Sequence, residues 1–423
     1  MTRVGILAGG GRLPLMIAES VAARGDGVHI VAIEGEADPA VARFPHTWVN
    51  WGQIGRMVAT LRAEGATELV IAGGVTRPDL RRIRPDAGFF TSLPQIVRLL
   101  AGGDDSVLSR VVRFFEGKGL TVRGVHEVAP DLLAGEGRMG AVDLRAQDRA
   151  DAELGFAVRQ ALGAVDAGQA VAVAQGKVLA IEGAEGTDAM LRRVAGLPGR
   201  EASGVRRGVL AKGPKPGQEL RVDMPAIGPR TVEQAAAAGL AGVVVEAGGV
   251  LVLDRAEAIR AADAVGCALY GLEPARSPAG VPPTPPAGRV IGRFRPSPRD
   301  AGDIETGLAA VSALAPLGTG AGVVVVRRYI LAIEAAEGPL AMLERTAKLR
   351  QWGVRWRKAG VMVRRAEDAR TEAGILEAIL AQASAQERAG VAVVGTADAL
   401  GPYEEAAGLA DGHGLFLVLC EVS

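Results

Sequence analysis

Lys212, Lys215, Arg221 and Asp223 fall within KGPKPGQELRVDMPAIGPRT, residues 212–231, where charged side chains are packed between four prolines and three glycines. Such a composition makes regular structure poorly and a rigid loop well. Three cations in one loop can neutralise phosphate oxygens, and Asp223 offers a carboxylate to hold a divalent cation or orient water. Thr231, just after Gly228, is placed to cap a following helix. The same stretch also suits a solvated, salt-bridged loop that does no chemistry.

Two further segments carry chemistry-bearing residues. Gly9, Gly10 and Gly11 in GGGRLP lie between a first apolar strand and a first helix. Glycines there let a backbone approach a phosphate and aim helix amides at it. The pattern is not GxGxxG, and no acidic residue is placed to grip a dinucleotide ribose, so a hydride-transfer cofactor is disfavoured. The alternative is a tight glycine turn, with Pro14 in the helix's first turn. In VIAGGVTRPDL, residues 70–80, Thr76, Arg77 and Asp79 follow a strand, and Arg77 suits a charge-assisted bond to a pyrophosphate. GGDDS, residues 102–106, reads equally as a ligand site or a helix cap.

LAIEGAEGTDAMLRR (179–193) and LAIEAAEGPLAMLER (331–345) match at 11 of 15 positions, at a constant offset of 152 residues. Over 151–193 and 303–345 the identity is 20 of 43 without a gap. An offset this constant marks an internal repeat with a shared fold. Glu182 and Glu185 recur as Glu334 and Glu337, which points to a scaffolding role. Thr187, Asp188 and Arg192 do not recur, and the offset sets Ile375 opposite Asp223. The later copy keeps the scaffold and lacks the charged loop, so it reads as a structural or regulatory pseudo-domain.

The elements that must position these residues alternate strand and helix. VGILA, VHIVAI, ELVIAGGV and LTVRGV read as strands, with helices between them, a rhythm that makes a Rossmann-like parallel sheet. The expected architecture is α/β: a Rossmann-like domain over 1–135, a second α/β domain over 145–273, a Pro/Gly-rich linker over 274–289, and a degenerate tandem copy of the second domain over 290–423. VLVLD is read as a strand of the second domain. A chain of 423 residues with 58 glycines suits this division.

Forty-eight basic and 48 acidic residues cancel, leaving no global field for nucleic acid. Cys267 and Cys420 sit in apolar surroundings and read as core residues of a reducing compartment. No signal peptide or membrane span is evident, so the expected location is cytoplasmic.

Residues 1 to about 272 resemble the LpxI family of UDP-2,3-diacylglucosamine pyrophosphatases of the lipid A pathway. The resemblance rests on seven motifs in order, among them the GGGRLPL segment, VNWGQIGRM, IAGGVTRPDL, GGDDSVLSRVVRFFEGKG and KPGQELRVDMPAIGPRTVEQAAAAGL. It implies an N-terminal domain that grips UDP and a C-terminal domain that holds the lipid. It implies hydrolysis of UDP-2,3-diacylglucosamine to 2,3-diacylglucosamine 1-phosphate (lipid X) and UMP, with Mg²⁺ supporting activity. The residue associated with catalysis falls on Asp223, a possible metal ligand; Lys215 and Arg221 neutralise charge beside it. Gly9, Gly10, Gly11, Arg77, Lys212, Thr187, Asp188 and Thr231 are the expected substrate-binding set. A carboxylate of ordinary pKa, about 4, is a weak base at neutral pH, which favours metal or water positioning for Asp223. The family pattern has Asp where this chain has Glu219, and the third domain lies outside its usual architecture. The resemblance also implies transient inner-membrane contact and self-association, with the third domain as an intramolecular partner in a pseudo-dimer or as an extension of an acyl groove. A nucleotide-sugar or lipid-binding protein without turnover is the competing reading.

Overall fold

VGILA and VHIVAI are apolar without alternation, the pattern of strands covered on both faces, and they pair in parallel at the centre of a sheet. The computed structural model describes residues 3–75, 83–92, 104–165, 167–200, 205–274, 288–349 and 358–422. Its contacts divide the chain into two compact units. The first holds Met1–Gly135, Gln218–Pro229 and Ala247–Ala258, and the second holds Glu136–Gly217, Arg230–Glu246 and Ile259–Ser423.

The first unit runs β1 (Arg3–Ala8), α1 (Leu13–Ala23), β2 (Gly27–Ile33), β3 (His46–Val49), α2 (Ile54–Ala63), β4 (Glu68–Ala72), α3 (Asp104–Glu116) and β5 (Thr121–Val122). Its strands are ordered β3-β2-β1-β4-β5, and every neighbouring pair is parallel. The order reverses between β1 and β4, where loops leave in opposite directions and open a crevice at the strands' carboxyl ends.

Two later segments also belong to this unit, which differs from the sequence expectation that 212–231 and VLVLD lie wholly in the second domain. Ala226–Ile227 pairs in parallel with Leu251–Val252. Ala134 N donates to Val250 O at 2.8 Å, and Gly248 N donates to Ala134 O at 2.9 Å. Leu251 is fully buried in one cluster with Ile6, Ile17 and Ile30. Backbone pairing and apolar burial together hold the returning chain here.

The second unit contains two copies of one fold. The first has β6 (Gly137–Arg138), α4 (Ala146–Ala161), β7 (Ala170–Ala174), β8 (Lys177–Ile181), α5 (Thr187–Ala195), β9 (Val209–Lys212), α6 (Pro229–Ala237), β10 (Gly242–Glu246), α7 (Arg255–Val265) and β11 (Ala268–Leu272). The second has β12 (Gly288–Ile291), α8 (Pro298–Leu314), β13 (Gly322–Val326), β14 (Tyr329–Ile333), α9 (Gly338–Leu349), β15 (Val361–Arg365), α10 (Ala369–Ala385), β16 (Gly390–Gly395), α11 (Ala397–Glu405) and β17 (Phe416–Glu421). The sheets are ordered β6-β11-β10-β9-β7-β8 and β12-β17-β16-β15-β13-β14, with the same succession of parallel and antiparallel pairs.

Small irregularities recur as well. Each sheet has a register shift in its hairpin, at Ala172/Val173 and at Val324/Val325. Each hairpin turns through two positive-φ residues, Gln175-Gly176 and Arg327-Arg328, and each turn is held by a buried aspartate. Asp151 accepts from Gln175 N at 2.8 Å and Gly176 N at 2.7 Å, and Asp303 accepts from Arg328 N at 2.5 Å. One core serves both copies, with Leu162, Val171 and Ile181 clustered with Leu308, Val323 and Ile333. The buried cysteines fit this apolar packing: burial pushes the Cys267 and Cys420 thiols up to about 11. Of the expected linker, residues 275–287 lie outside the described residues.

Candidate active site

The glycine segment after β1 is zipped to the loop after β4. Gly9 N donates to Ala72 O at 2.8 Å, and Gly10 and Gly74 exchange backbone bonds of 2.6 and 3.0 Å. A Cβ on Gly9 would stand 2.5 Å from Gly74 O, and one on Gly73 would stand 2.6 Å from Gly10 O. Gly11 faces open space but holds φ +86°, a conformation that favours glycine. These glycines therefore bring two loops together at the switch point and leave a cleft of about 340 Å³. Gly10, Gly11 and Arg12 line it with Gly73, Gly74 and residues 220–224, Asp223 among them. Arg12 is ion-paired with Asp254 at 3.2 Å. Arg77, with Thr76 and Asp79, lies outside the described residues.

Asp223 is set by a local turn, in which Val222 N and Asp223 N both donate to Glu219 O, at 3.2 and 3.1 Å. Gln218 Nε2 donates to Asp223 Oδ2 and fixes the carboxylate's orientation. Arg221 braces the same turn. Its Nε and Nη2 donate to the two Glu219 oxygens at 2.8 and 2.7 Å, and its Nη1 reaches Glu116 Oε1 at 3.0 Å. The bond to Glu219 raises the guanidinium's pKa, and in return Arg221 holds the Glu219 carboxyl below its ordinary range. Two carboxylates already oppose its charge, so Arg221 acts first as the clasp of the Asp223 turn. The longer reach of Glu219, where the family pattern has Asp, serves this two-pronged grip.

Lys212, Lys215, Thr187, Asp188 and Thr231 belong to the second unit. Lys212 ends β9 almost fully buried, and its Nζ donates to Thr187 Oγ1 at 3.0 Å. Thr187 Oγ1 donates in turn to Glu182 Oε1 at 3.0 Å, while Glu182 Oε2 accepts from Gln169 N at 3.2 Å. Glu182, Thr187 and Lys212 thus form one chain of hydrogen bonds at the start of α5. Asp188 pairs with Arg230 at 3.0 Å. Thr231 is not the helix cap that the sequence suggests: α6 begins at Pro229, a residue favoured in a helix's first turn, so Thr231 is already inside it.

Lys215 lies between two anchored prolines. Pro214 O accepts from Arg159 Nη1, and the Pro216 ring packs where a Cβ on Gly163 would be. Arg159 is buried and paired with Glu246 at the end of β10. Burial lowers its pKa, with Glu246 opposing that shift. Neither residue was expected from the sequence, where the only signal is a charge within an otherwise apolar helix or strand. Gln218 was within reach, since it stands in the same loop as Asp223.

The third domain departs at the equivalent place. Arg364 takes the position of Lys212, and its guanidinium donates to Glu372 at 3.1 Å twice and to Glu334 at 2.8 Å. Tyr403 donates its hydroxyl to Glu372, and Arg364, Glu372 and Tyr403 are all buried. Pro339 stands where Thr187 does. Residues 213–228 separate β9 from α6, whereas residues 366–368 alone separate β15 from α10, and Ile375 lies on that helix. The charged loop is absent and a neutralised cluster fills its place.

The N-terminal domain model of the LpxI family matches residues 3–132, and the C-terminal domain model matches twice, over 135–270 and 287–418. The chain belongs to the LpxI family. The double match to the LpxI C-terminal domain agrees with the duplicated sheet order. The chain is similar to UDP-2,3-diacylglucosamine pyrophosphatase LpxI of Caulobacter vibrioides, with 43% identity over 280 residues, 66% of this chain and 100% of that relative. A solved structure of CobK precorrin-6A reductase aligns with 65% of this chain and 91% of its own, at 14% identity and a TM-score of 0.22. A likeness that slight carries no argument.

Proposed function

We propose that this chain hydrolyses UDP-2,3-diacylglucosamine to 2,3-diacylglucosamine 1-phosphate (lipid X) and UMP, a step of lipid A biosynthesis, with Asp223 at the centre of the chemistry. The observation that carries this reading is the 43% identity over the whole length of a relative whose name states that activity. The cleft lined by Gly10, Gly11 and Asp223 supports it, because glycines at a switch point admit a phosphorylated nucleotide closely.

In this reading water adds to the phosphorus on the sugar side. The bond from that phosphorus to the bridging oxygen breaks, UMP leaves with the bridging oxygen, and the protons of the water pass to the product phosphates or to solvent. Asp223, oriented by Gln218, positions the water or a metal ion. Lys212, Lys215 and Thr187 hold the sugar-lipid phosphate, with Asp188 and Thr231 on the same domain, and Gly9–Gly11 with Arg77 hold the UDP side. A bound Mg²⁺ would neutralise charge on the pyrophosphate oxygens. Among the described residues no group of three or more His, Cys, Asp or Glu is gathered for a metal. The donor set therefore fits an ion held by one carboxylate and by substrate oxygens, the usual habit of Mg²⁺.

No helix among the described residues is long and apolar enough to cross a membrane. A diacylated substrate still resides in a bilayer, so we place the reaction at the cytoplasmic side of the inner membrane, with transient surface contact. The test is UMP release from UDP-2,3-diacylglucosamine with Mg²⁺, run in ¹⁸O-water. Label is expected in lipid X and not in UMP, and Asp223→Ala is expected to lose turnover while still binding substrate. Equal turnover by Asp223→Ala removes Asp223 from the mechanism.

A further inference from the structure

Four charged side chains meet where the two copies of the second unit's fold face each other. Arg193 lies 3.0 Å from Glu185 and 3.4 Å from Glu337, and Arg345 lies 3.1 Å from each of the same two carboxylates. Charges alternate around this ring, and every member is largely buried. The backbone repeats the relationship: Ala184 N donates to Leu331 O at 3.0 Å, and Ala336 N donates to Leu179 O at 3.3 Å. Each of these residues is the other copy's equivalent at the offset of 152. The arrangement is a pseudo-twofold contact within one chain.

Its two halves do not serve equal ends. The turn Gly183–Gly186 leads directly into Thr187, with Glu182 on its other side. Its anchors from the third domain are the Leu331 carbonyl, bonded to Ala184, and the Arg345 guanidinium, beside Glu185. The approach is close, since a Cβ on Gly183 would lie 2.5 Å from Leu331 O. The equivalent turn of the third domain leads only to Pro339, and Arg364 nearby is already neutralised.

We propose that the third domain is a built-in positioning partner, whose Leu331 carbonyl and Arg345 guanidinium hold the Gly183–Gly186 turn and so set Thr187 against Lys212 and Glu182. Arg345 is then a positioning residue that touches no substrate and acts through Thr187. The inference rests on the reading that Thr187 and Lys212 hold the substrate.

The test uses the full chain and steady-state kinetics on UDP-2,3-diacylglucosamine, well below the thermal midpoint. Arg345→Met is expected to raise KM about tenfold with kcat within about twofold, and Arg345→Lys to recover most of the loss. Thr187→Val should raise KM comparably, and adding Arg345→Met to it should change KM less than about threefold, because the two act as one unit. Tyr403→Phe, buried elsewhere in the third domain, should lower the thermal midpoint and leave KM alone. Independent, multiplying effects of Arg345→Met and Thr187→Val overturn the proposal, as does a KM for Arg345→Met no higher than for Tyr403→Phe. If wild type turns over and Thr187→Val keeps its KM, the assignment of Thr187 falls and takes the proposal with it. An inactive wild type refutes the function itself.

Discussion

Lys212 and Arg364 hold the same register position, opposite Val245 and Val393 respectively, yet Lys212 donates to a threonine hydroxyl while Arg364 is clasped by two carboxylates. The difference lies in the segment after each strand. Beyond Lys212 the chain makes a loop of prolines and charges; beyond Arg364 it turns at once into α10, which delivers Glu372 into the space. A buried guanidinium with matched carboxylates is satisfied internally and needs no ligand. The copies have kept one scaffold and divided the labour, chemistry to one and support to the other.

Removing Arg364 should therefore unfold the third domain without touching the reaction directly. Arg364→Met leaves Glu334 and Glu372 buried without their cation, at an expected cost of about 3–5 kcal/mol in urea denaturation. Burial already raises the Glu334 pKa, with Arg364 opposing it. A carboxyl whose folded pKa is raised favours the fold at low pH and disfavours it as pH climbs through that value. The deficit of Arg364→Met should thus shrink on acidification from pH 7 to pH 5. A deficit independent of pH would show that the cluster is not electrostatically strained.

The Glu219–Arg221 clasp has the opposite pH signature. Arg221 holds the Glu219 carboxyl below its ordinary value of 4.5. The clasp's contribution is present above that value and is lost as pH falls through the lowered one. The pair is partly exposed, so Glu219→Gln should cost only about 0.5–1 kcal/mol at pH 7. Its thermal midpoint should converge with wild type below pH 4. Turnover should fall more than stability does, because the clasp shapes the Asp223 turn, and equal losses in the two would deny it that role.

The paired glycines of the switch point make a steric prediction. Gly9→Ala and Gly73→Ala each place a methyl group about 2.5–2.6 Å from a carbonyl oxygen of the facing loop, and Gly73 also holds φ +94°. Both should lose nucleotide affinity and cost about 1–3 kcal/mol of stability. Gly11→Ala has open space and only the φ penalty, so it should be the mildest of the three. UDP titration by calorimetry orders them, and a Gly11→Ala loss equal to that of Gly9→Ala would contradict the steric account.

What was legible in the sequence was whatever repeats or clusters locally. The constant offset disclosed two copies of one fold, and the prolines, glycines and charges of 212–231 marked the Asp223 loop. Pairings between distant segments left no such trace. Arg221 looks like a free cation until Glu116 is brought beside it, and Arg159 gives no sign of Glu246. VLVLD reads as a strand of its own domain, yet the burial of Leu251 against Ile6 and Ile17 joins it to the first unit. Glu185 and Glu337 read as scaffold because they recur. The structure gives that scaffold a chemical form, an alternating ring of charge with Arg193 and Arg345.

The ring also predicts what a chain ending at Leu272 would do. Such a chain would bare Leu162, Val171 and Ile181, which now share a core with the third domain, and would leave the edge of β8 uncovered. Bare edges and apolar faces of this kind seek another partner. A second copy of the same chain supplies one, because its Glu185 and Arg193 correspond to Glu337 and Arg345, and its Leu179 carbonyl to that of Leu331. The alternation of charge survives the exchange. The shortened chain is therefore expected to form a symmetric homodimer in sedimentation velocity, where the full chain needs no second copy at this face. Glu185→Arg should abolish that dimer by setting four guanidinium groups against one another. A shortened chain that stays monomeric and keeps the full chain's thermal midpoint would show that the third domain contributes nothing a partner must replace.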